Sequence, residues 1–274
     1  MAIPLYQVDA FTERPFAGNP AAVCPLGAWP SDTLMQAIAL ENNLSETAFC
    51  VPDGDRWGLR WFTPTVEVDL CGHATLATGF VLLEVLGAAR DEAAFTTRSG
   101  RLTVRRAGHR FAMDLPANPP EAFDAPVEME SALAVALGTR PAEVLATAGH
   151  YVAVMPDAAA VRGLQPDMGA LARLDRPAVM ATAPAAPDDR ADIVSRFFAP
   201  AKGVPEDPVT GSAHCVLAPF WSTRLGRDEI EAIQASPRGG RMTCRVAGNR
   251  VEMTSGAVLV LTGEIHTDHM QSTG

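Results

Sequence analysis

At 274 residues, with 47% hydrophobic and 20% charged side chains, the chain is long enough for two domains of roughly 100 to 150 residues each. Its 32 acidic against 22 basic residues leave a formal net charge of −10, which argues against the positive surface that a nucleic-acid partner requires. No apolar run reaches the ~18 residues of a membrane span, and the start Met1-Ala2-Ile3-Pro4-Leu5-Tyr6 lacks the features of a secretory leader, so a cytoplasmic protein is expected.

In chain order, Leu5 to Val23 reads as a β-rich segment turning at Gly18-Asn19-Pro20. Ser31 is placed to cap a helix whose apolar face takes in Leu34, Ala37, Ile38 and Leu40, and which ends near Asn42-Asn43. Thr47 to Val51 and Trp57 to Phe62 read as strands. From Ala74 to Leu86 nearly every residue is apolar or small, Glu84 being the one charge, and Gly87 stands as a C-terminal cap. A helix with no polar face must be buried all round, and about 14 residues make a rod of roughly 21 Å, too short to cross a bilayer. Thr96 to Leu115 reads as a hairpin turning at Ala107-Gly108.

The proline-rich stretch from Pro116 to Pro126 is the natural boundary, giving lobes over 1–117 and 127–274, with the last strand free to return to the first lobe. Beyond it, helices are expected over Glu128 to Leu137, closed by Gly138, and over Ala142 to Ala148. Strands are expected over Tyr151 to Met155, Ala178 to Thr182 and Ile193 to Phe198. A second apolar helix runs from Ala213 to Leu225 with Gly226 as its cap, and Pro219 inside it removes one backbone hydrogen bond and should kink it.

The two apolar helices belong to an internal repeat. Cys71-Gly72-His73-Ala74-Thr75 recurs as Thr210-Gly211-Ser212-Ala213-His214, and Leu86-Gly87 as Leu225-Gly226, at a constant offset of 139 residues. Gly100, Arg101, Thr103, Arg105, Ala107, Gly108, Arg110 and Met113 recur at an offset of 140, and Phe62-Thr63-Pro64 matches Phe198-Ala199-Pro200 at 136. Three blocks in one order at nearly one spacing make two halves of similar topology, and a cleft between such halves is the expected site. Each helix starts after a glycine-containing turn, so unsatisfied N–H groups and the positive end of the dipole are offered twice, a backbone site suited to a carboxylate.

The five cysteines, Cys24, Cys50, Cys71, Cys215 and Cys244, are odd in number and lack metal-ligand spacing, so reduced, buried thiols and no metal site are expected. His266 and His269 read as residues of a solvated tail rather than zinc ligands.

Several motifs together carry a resemblance. They are Val8-Asp9-Ala10-Phe11-Thr12, Pro15-Phe16-Ala17-Gly18-Asn19-Pro20-Ala21-Ala22-Val23, Asn43-Leu44-Ser45-Glu46-Thr47-Ala48-Phe49, Leu70-Cys71-Gly72-His73-Ala74-Thr75 and Glu206-Asp207-Pro208-Val209-Thr210-Gly211-Ser212-Ala213-His214. Over residues 5 to about 260 the chain resembles the PhzF-like phenazine-biosynthesis isomerases. The resemblance implies an α/β (α+β) diaminopimelate epimerase-like fold, with two pseudo-symmetric lobes, each a curved sheet wrapped around a central helix. It further implies cofactor-independent isomerisation of a small carboxylate-bearing metabolite. The family's catalytic residues fall on Glu46, His73, Asp207 and Ser212. The backbone expected to bind the substrate, from the two helix starts, is that of Gly72, His73 and Ala74 and of Gly211, Ser212 and Ala213.

Moving a proton next to a carbonyl needs a base at the C–H bond and stabilisation of the charge that develops, roles open to Glu46 and to the helix starts. His73 or Asp207 could hold or return the proton. The related epimerases and racemases use two opposed cysteines at these helix starts; the chain resembles them at Cys71 but has Thr210 at the symmetric position, so Cys71 reads as a packing residue. A racemase using Glu46 and Cys71, or an inactive binder of small acids, are the alternatives. A homodimer is the default assembly.

Overall fold

The computed structural model describes residues 2–122 and 126–267 and divides into two compact units, 1–114 with 254–274, and 115–253. The first unit contains strands β1 (Ala2–Ala10) and β2 (Asn19–Pro25), helix α1 (Asp32–Asn42), strands β3 (Glu46–Asp53), β4 (Arg56–Phe62) and β5 (Glu67–Val68), and helix α2 (Gly72–Phe80). Strands β6 (Glu92–Thr97), β7 (Gly100–Ala107) and β8 (Arg110–Pro116) follow. The second unit contains β9 (Glu121–Ala122), α3 (Val127–Leu137), β10 (Glu143–Ala146), β11 (His150–Val154), α4 (Ala158–Arg162) and α5 (Met168–Ala172). It continues with β12 (Ala178–Pro184), β13 (Ile193–Ala199), β14 (Val204–Asp207), α6 (Gly211–Leu225), β15 (Glu229–Gln234), β16 (Gly240–Ala247) and β17 (Arg250–Ser255). The strand β18 (Ala257–His266) pairs antiparallel with β1 in the first unit.

The repeat seen in the sequence is a repeat of topology. In the first unit β1/β2 is antiparallel, β2/β3 parallel, β3/β4 antiparallel, β4/β6 parallel and β6/β7 antiparallel. In the second, β10/β11, β11/β12, β12/β13, β13/β15 and β15/β16 run through the same five steps in the same order. An apolar helix enters at the same point of each series, α2 between β4 and β6, α6 between β13 and β15.

Helix α2 is buried from His73 to Phe80 and touches β1, β2, β3, β7 and β18, as a helix without a polar face must. Its fit against β7 depends on Gly79, where a Cβ would lie 2.4 Å from side-chain atoms of Val104. On the other face of this sheet, α1 packs Met35, Ile38 and Ala39 against Ile3, Cys24, Phe49 and Phe62. In the second unit α6 touches β15 and β16, and Trp221 donates its indole N–H to Thr182 of β12 at 3.0 Å. Leu133, Leu137, Val161 and Leu171 from α3, α4 and α5 pack on Tyr151, Val179, Ala181 and Phe198. Both units are thus mixed α/β layers, and all five cysteines are free and buried.

Several elements differ from the reading of the sequence. The first turn spans residues 11–18, with Asn19 and Pro20 already in β2; Gly18 sits at φ +66° where a Cβ would meet the Ala10 carbonyl at 2.1 Å. Helix α1 is capped by Ser31, whose side chain accepts from the Leu34 N–H, and closes at Asn43 in the left-handed region, but Leu40 faces solvent at 60% exposure. The buried face uses Met35, Ile38 and Ala39 with Leu34 packed beside them, so Ile38 and Leu34 are on the expected face and Leu40 is not.

The apolar helix of the first unit does not stay α-helical to Leu86. After Phe80 it widens into a π-turn over Val81–Val85, with the Leu86 N–H reaching the Val81 carbonyl at 2.9 Å. Arg106 of β7 holds this turn by donating to the Leu83 carbonyl and the Glu84 carboxylate, which accounts for the one charge in an apolar run. The segment expected as a helix over Ala142 to Ala148 is instead β10, because its Val144, Leu145 and Ala146 pair with β11 in the sheet. Helices α4 and α5, too short for a periodicity signal, carry Asp157 and Asp167 as caps.

Helix α6 runs without a break through Pro219. Pro219 has no N–H for the Cys215 carbonyl, and that carbonyl instead accepts from the Asn118 N–H at 2.9 Å. His269 lies outside the described residues; His266 is exposed at the end of β18. No helix among the described residues is long and apolar enough to cross a membrane.

Candidate functional site

In the first unit, Glu46 opens β3, where it registers with Ala21 of the parallel neighbour β2. The preceding chain is held at both sides: Ser45 donates to the Asn19 side chain at 3.1 Å, and Asn42 donates to the Thr47 hydroxyl at 3.1 Å. These bonds limit where the Glu46 backbone can lie, and the left-handed Asn43 redirects the chain from α1 into β3. Cys71, Gly72 and His73 come from the start of α2, whose N-cap Cys71 makes no side-chain capping bond. The N-terminal N–H groups of α2 therefore have no side-chain partner from their own cap, and the helix dipole puts partial positive charge there.

His73 joins the other two side chains. Its Nε2 lies 3.1 Å from Oε2 of Glu46, and its Nδ1 lies 3.4 Å from Sγ of Cys71. The His73 and Cys71 side chains are buried, and Glu46 is 18% exposed. The Glu46 contact is an ion pair by distance but falls short of hydrogen-bond alignment, so Oε2 and Nε2 are both buried without a hydrogen-bond partner. The two buried atoms interact as charges, with orientation to spare for a third party.

Burial disfavours a charged His73, but the interactions with Cys71 and with the Glu46 charge outweigh it and hold the imidazole well above its usual range. Burial, followed by the nearby Glu46 charge, pushes the Cys71 thiol up to about 11. The thiol is thereby disfavoured as a thiolate near neutrality. Behind the cluster, the Thr75 hydroxyl donates to the Cys71 carbonyl at 2.6 Å, tying the cap residue to the next helical turn.

The matching start in the second unit is built otherwise. Asp207 accepts the Thr210 hydroxyl at 2.5 Å. The buried Gln234 of β15 accepts the Thr210 N–H at 2.9 Å and donates to the Asp207 carbonyl at 2.8 Å and to the Thr210 hydroxyl at 3.1 Å. His214, fully buried, uses Nδ1–H to donate to the Thr210 carbonyl at 2.8 Å, which fixes the proton on Nδ1 and leaves Nε2 unpartnered. Burial lowers the His214 pKa to about 4, so it is neutral. Ser212 is exposed in the first turn of α6, between the buried Gly211 and Ala213.

Of the residues singled out in the sequence, Glu46 and His73 meet directly, Gly72 and Ala74 stand in the same helical turn, and Asp207 braces the turn before Gly211. Cys71, read there as packing, contacts the His73 ring. Gln234 was missed, since nothing in its local pattern marks it. Among the described residues, Glu46, Cys71 and His73 are the group of potential metal-ligating side chains whose donor atoms lie within 4.8 Å of one another. No spacing rule finds them, because they come from two separate elements.

Comparison with known proteins identifies relatives of the whole chain. A family model described as phenazine biosynthesis-like protein matches residues 8–263. An uncharacterized isomerase of Pseudomonas aeruginosa is 49% identical over 97% of this chain and 99% of its own length. The crystal structure of a PhzF-family phenazine biosynthesis protein from Enterococcus faecalis is 44% identical, covers 97% of this chain and all of its own, and superposes with a TM-score of 0.91. A hydroxyproline epimerase from Agrobacterium vitis shares the fold at 14% identity and a TM-score of 0.60.

Proposed function

The chain belongs to the phenazine biosynthesis-like (PhzF) family and is an isomerase, and we propose that it moves a proton on a small carboxylate-bearing metabolite by acid/base catalysis at Glu46, without a cofactor. The observation that carries this reading is the buried Glu46–His73 pair at 3.1 Å, set beside the start of α2. Glu46 takes the proton from carbon. His73, held as imidazolium by the same carboxylate, supplies the positive charge and a proton donor for the return step. The N–H groups of Gly72, His73 and Ala74 at the helix start bind the carboxylate or the enolate-like oxygen that develops beside it.

Asp207 and Ser212, on the strength of the family resemblance, and the backbone of Gly211 and Ala213 at the start of α6 complete the proposed set. The thiol of Cys71, raised to about 11, is a poor base near neutrality, which favours the glutamate over a racemase pairing Glu46 with Cys71. The five buried free thiols suit a reducing, cytoplasmic setting. The test is deuterium uptake from solvent into small carboxylic acids incubated with the protein and read by mass spectrometry. Label entering at a second carbon supports isomerisation, and label lost in Glu46→Gln identifies the base. Uptake by a folded Glu46→Gln protein at the parental rate would sink the assignment.

A further inference from the structure

The Glu46, His73 and Cys71 side chains combine three donor types, carboxylate oxygen, imidazole nitrogen and sulfur, in one buried cluster. We propose that they form a binding site for a borderline-soft divalent cation of the zinc class. Carboxylate, imidazole and thiolate are the three ligand types that zinc and its heavier congener cadmium accept together, whereas magnesium and calcium require oxygen.

One donor atom from each side chain is near enough to converge on one ion after a side-chain rotation. Bonds of about 2.0 Å to nitrogen or oxygen and about 2.3 Å to sulfur, meeting at tetrahedral angles, set donors roughly 3.5 Å apart. The imidazole can bind one ion through only one nitrogen, either Nε2, 3.1 Å from Oε2, or Nδ1, 3.4 Å from Sγ. One donor atom from each of the three side chains lies within 4.8 Å of the other two, so the remaining donor has to close by roughly 1 Å.

A second observation points to a ligand. Oε2 of Glu46 and Nε2 of His73 are buried polar atoms without hydrogen-bond partners, on side chains whose backbones are already fixed by the Asn19–Ser45 bond and by the Thr75–Cys71 bond. Glu46 is the least buried of the three, so water is able to take the fourth position. Coordination replaces the protons of the thiol and the imidazolium, which pass to solvent. The cation would occupy the lone pairs that proton transfer needs, so it acts as an inhibitor and not as a cofactor.

The experiment titrates the purified full chain with Cd²⁺ in a phosphine-reduced buffer and follows the thiolate-to-cadmium charge-transfer absorption in the ultraviolet. The expected result is one cadmium per chain, displaced by Zn²⁺. Cys71→Ser should abolish the band, and His73→Gln and Glu46→Gln should each weaken binding more than about tenfold, the least expected when even an outer-shell partner costs that much. Circular dichroism verifies that each variant is folded. If Cys71→Ser does not fold, a cadmium-soaked crystal of the parent decides, with an anomalous peak expected among the three side chains. No band, a band that survives Cys71→Ser, or a peak elsewhere would overturn the site. Binding is read without turnover, so this result is independent of the isomerase assignment.

Discussion

The starts of α2 and α6 occupy the same place in a duplicated topology, yet at one a carboxylate and an imidazole face each other as a charge pair, while at the other the cap residue is bonded through its hydroxyl, N–H and carbonyl. At α6, the hydroxyl of Thr210 is committed to Asp207, its N–H to Gln234 and its carbonyl to His214. At α2, the equivalent Cys71 leaves Glu46 and His73 facing each other as a buried pair with unsatisfied atoms. The fourth position after each cap shows the same divergence: Thr75 and His214 make the same bond to the cap carbonyl, at 2.6 and 2.8 Å, but one with a hydroxyl and the other with a ring that can titrate. Duplication conserves the scaffold bond and frees the other groups to specialise. Polar atoms left unsatisfied inside a well-packed unit cost stability. At α6 the one such atom among the described residues is Nε2 of the neutral His214, whereas at α2 two of them, on Glu46 and His73, face each other as a charge pair, which marks where reactivity is kept.

The largest expected effect tests that contrast directly. Glu46→Gln should lower turnover by about 10²- to 10⁴-fold, equal to about 3–5 kcal/mol in the barrier, with little change in melting temperature. A steady-state or isotope-uptake rate beside a thermal melt checks it. Were the loss matched by an equal loss of stability, the carboxylate would be a structural residue and the contrast would fail.

Next in size is the acid lability assigned to the second unit. The folded His214 pKa of about 4 lies below the roughly 6.5 of an unfolded histidine, so the unfolded chain takes up the proton first. The stabilising contribution is therefore complete above pH 6.5 and is lost as pH falls from 6.5 toward 4, by about 3 kcal/mol. His150, lowered to about 4 by burial and by Lys202, adds loss of the same sign, so the informative quantity is the difference between parent and His214→Gln. Urea melts from pH 7.5 to 4.5 should show a flatter dependence in the variant; parallel curves would mean that the buried ring does not titrate as described.

Gln234→Ala removes three hydrogen bonds and leaves the Thr210 N–H and the Asp207 carbonyl without that partner, a cost of about 2–3 kcal/mol in denaturant unfolding. Gln234→Glu, which keeps the acceptor but loses the donor, should fall between the parent and the alanine variant. Equal stability in all three would show that the second helix start is not closed by this side chain. The smallest effect is Thr75→Val, which removes the hydroxyl bond to the Cys71 carbonyl and should cost about 1 kcal/mol. A much larger loss of activity than of stability in this variant would mean that the bond also aims His73 at Glu46.

Much of the architecture was legible along the chain. The repeat announced two halves of one topology, the apolar runs announced two buried helices, and Ser31, Gly138 and Gly226 announced ends that the structure places as described. The errors cluster where tertiary pairing overrides local preference. Residues 142–148 read as helix from composition, but backbone pairing of β10 with β11 decides them. The π-turn after Phe80 depends on Arg106, which reaches it from β7. Gln234 was invisible because a lone glutamine at the end of a strand that alternates polar and apolar residues has no distinctive local pattern.

For the site, the residue types at Glu46 and His73 came from motif resemblance, while a bottom-up reading alone leaves Glu46 looking like an ordinary carboxylate at the end of a helix. The sequence by itself determined the duplicated order of elements, the buried helices and their caps, because hydrophobic period, turn chemistry and capping act between residues close along the chain. Only the tertiary structure decided that a strand-opening glutamate, a helix-opening histidine and a cap cysteine meet in one buried cluster while the equivalent turn closes on Gln234. The physical reason is that burial, charge pairing and hydrogen-bond satisfaction are set by which elements pack together, and local spacing carries no record of that choice.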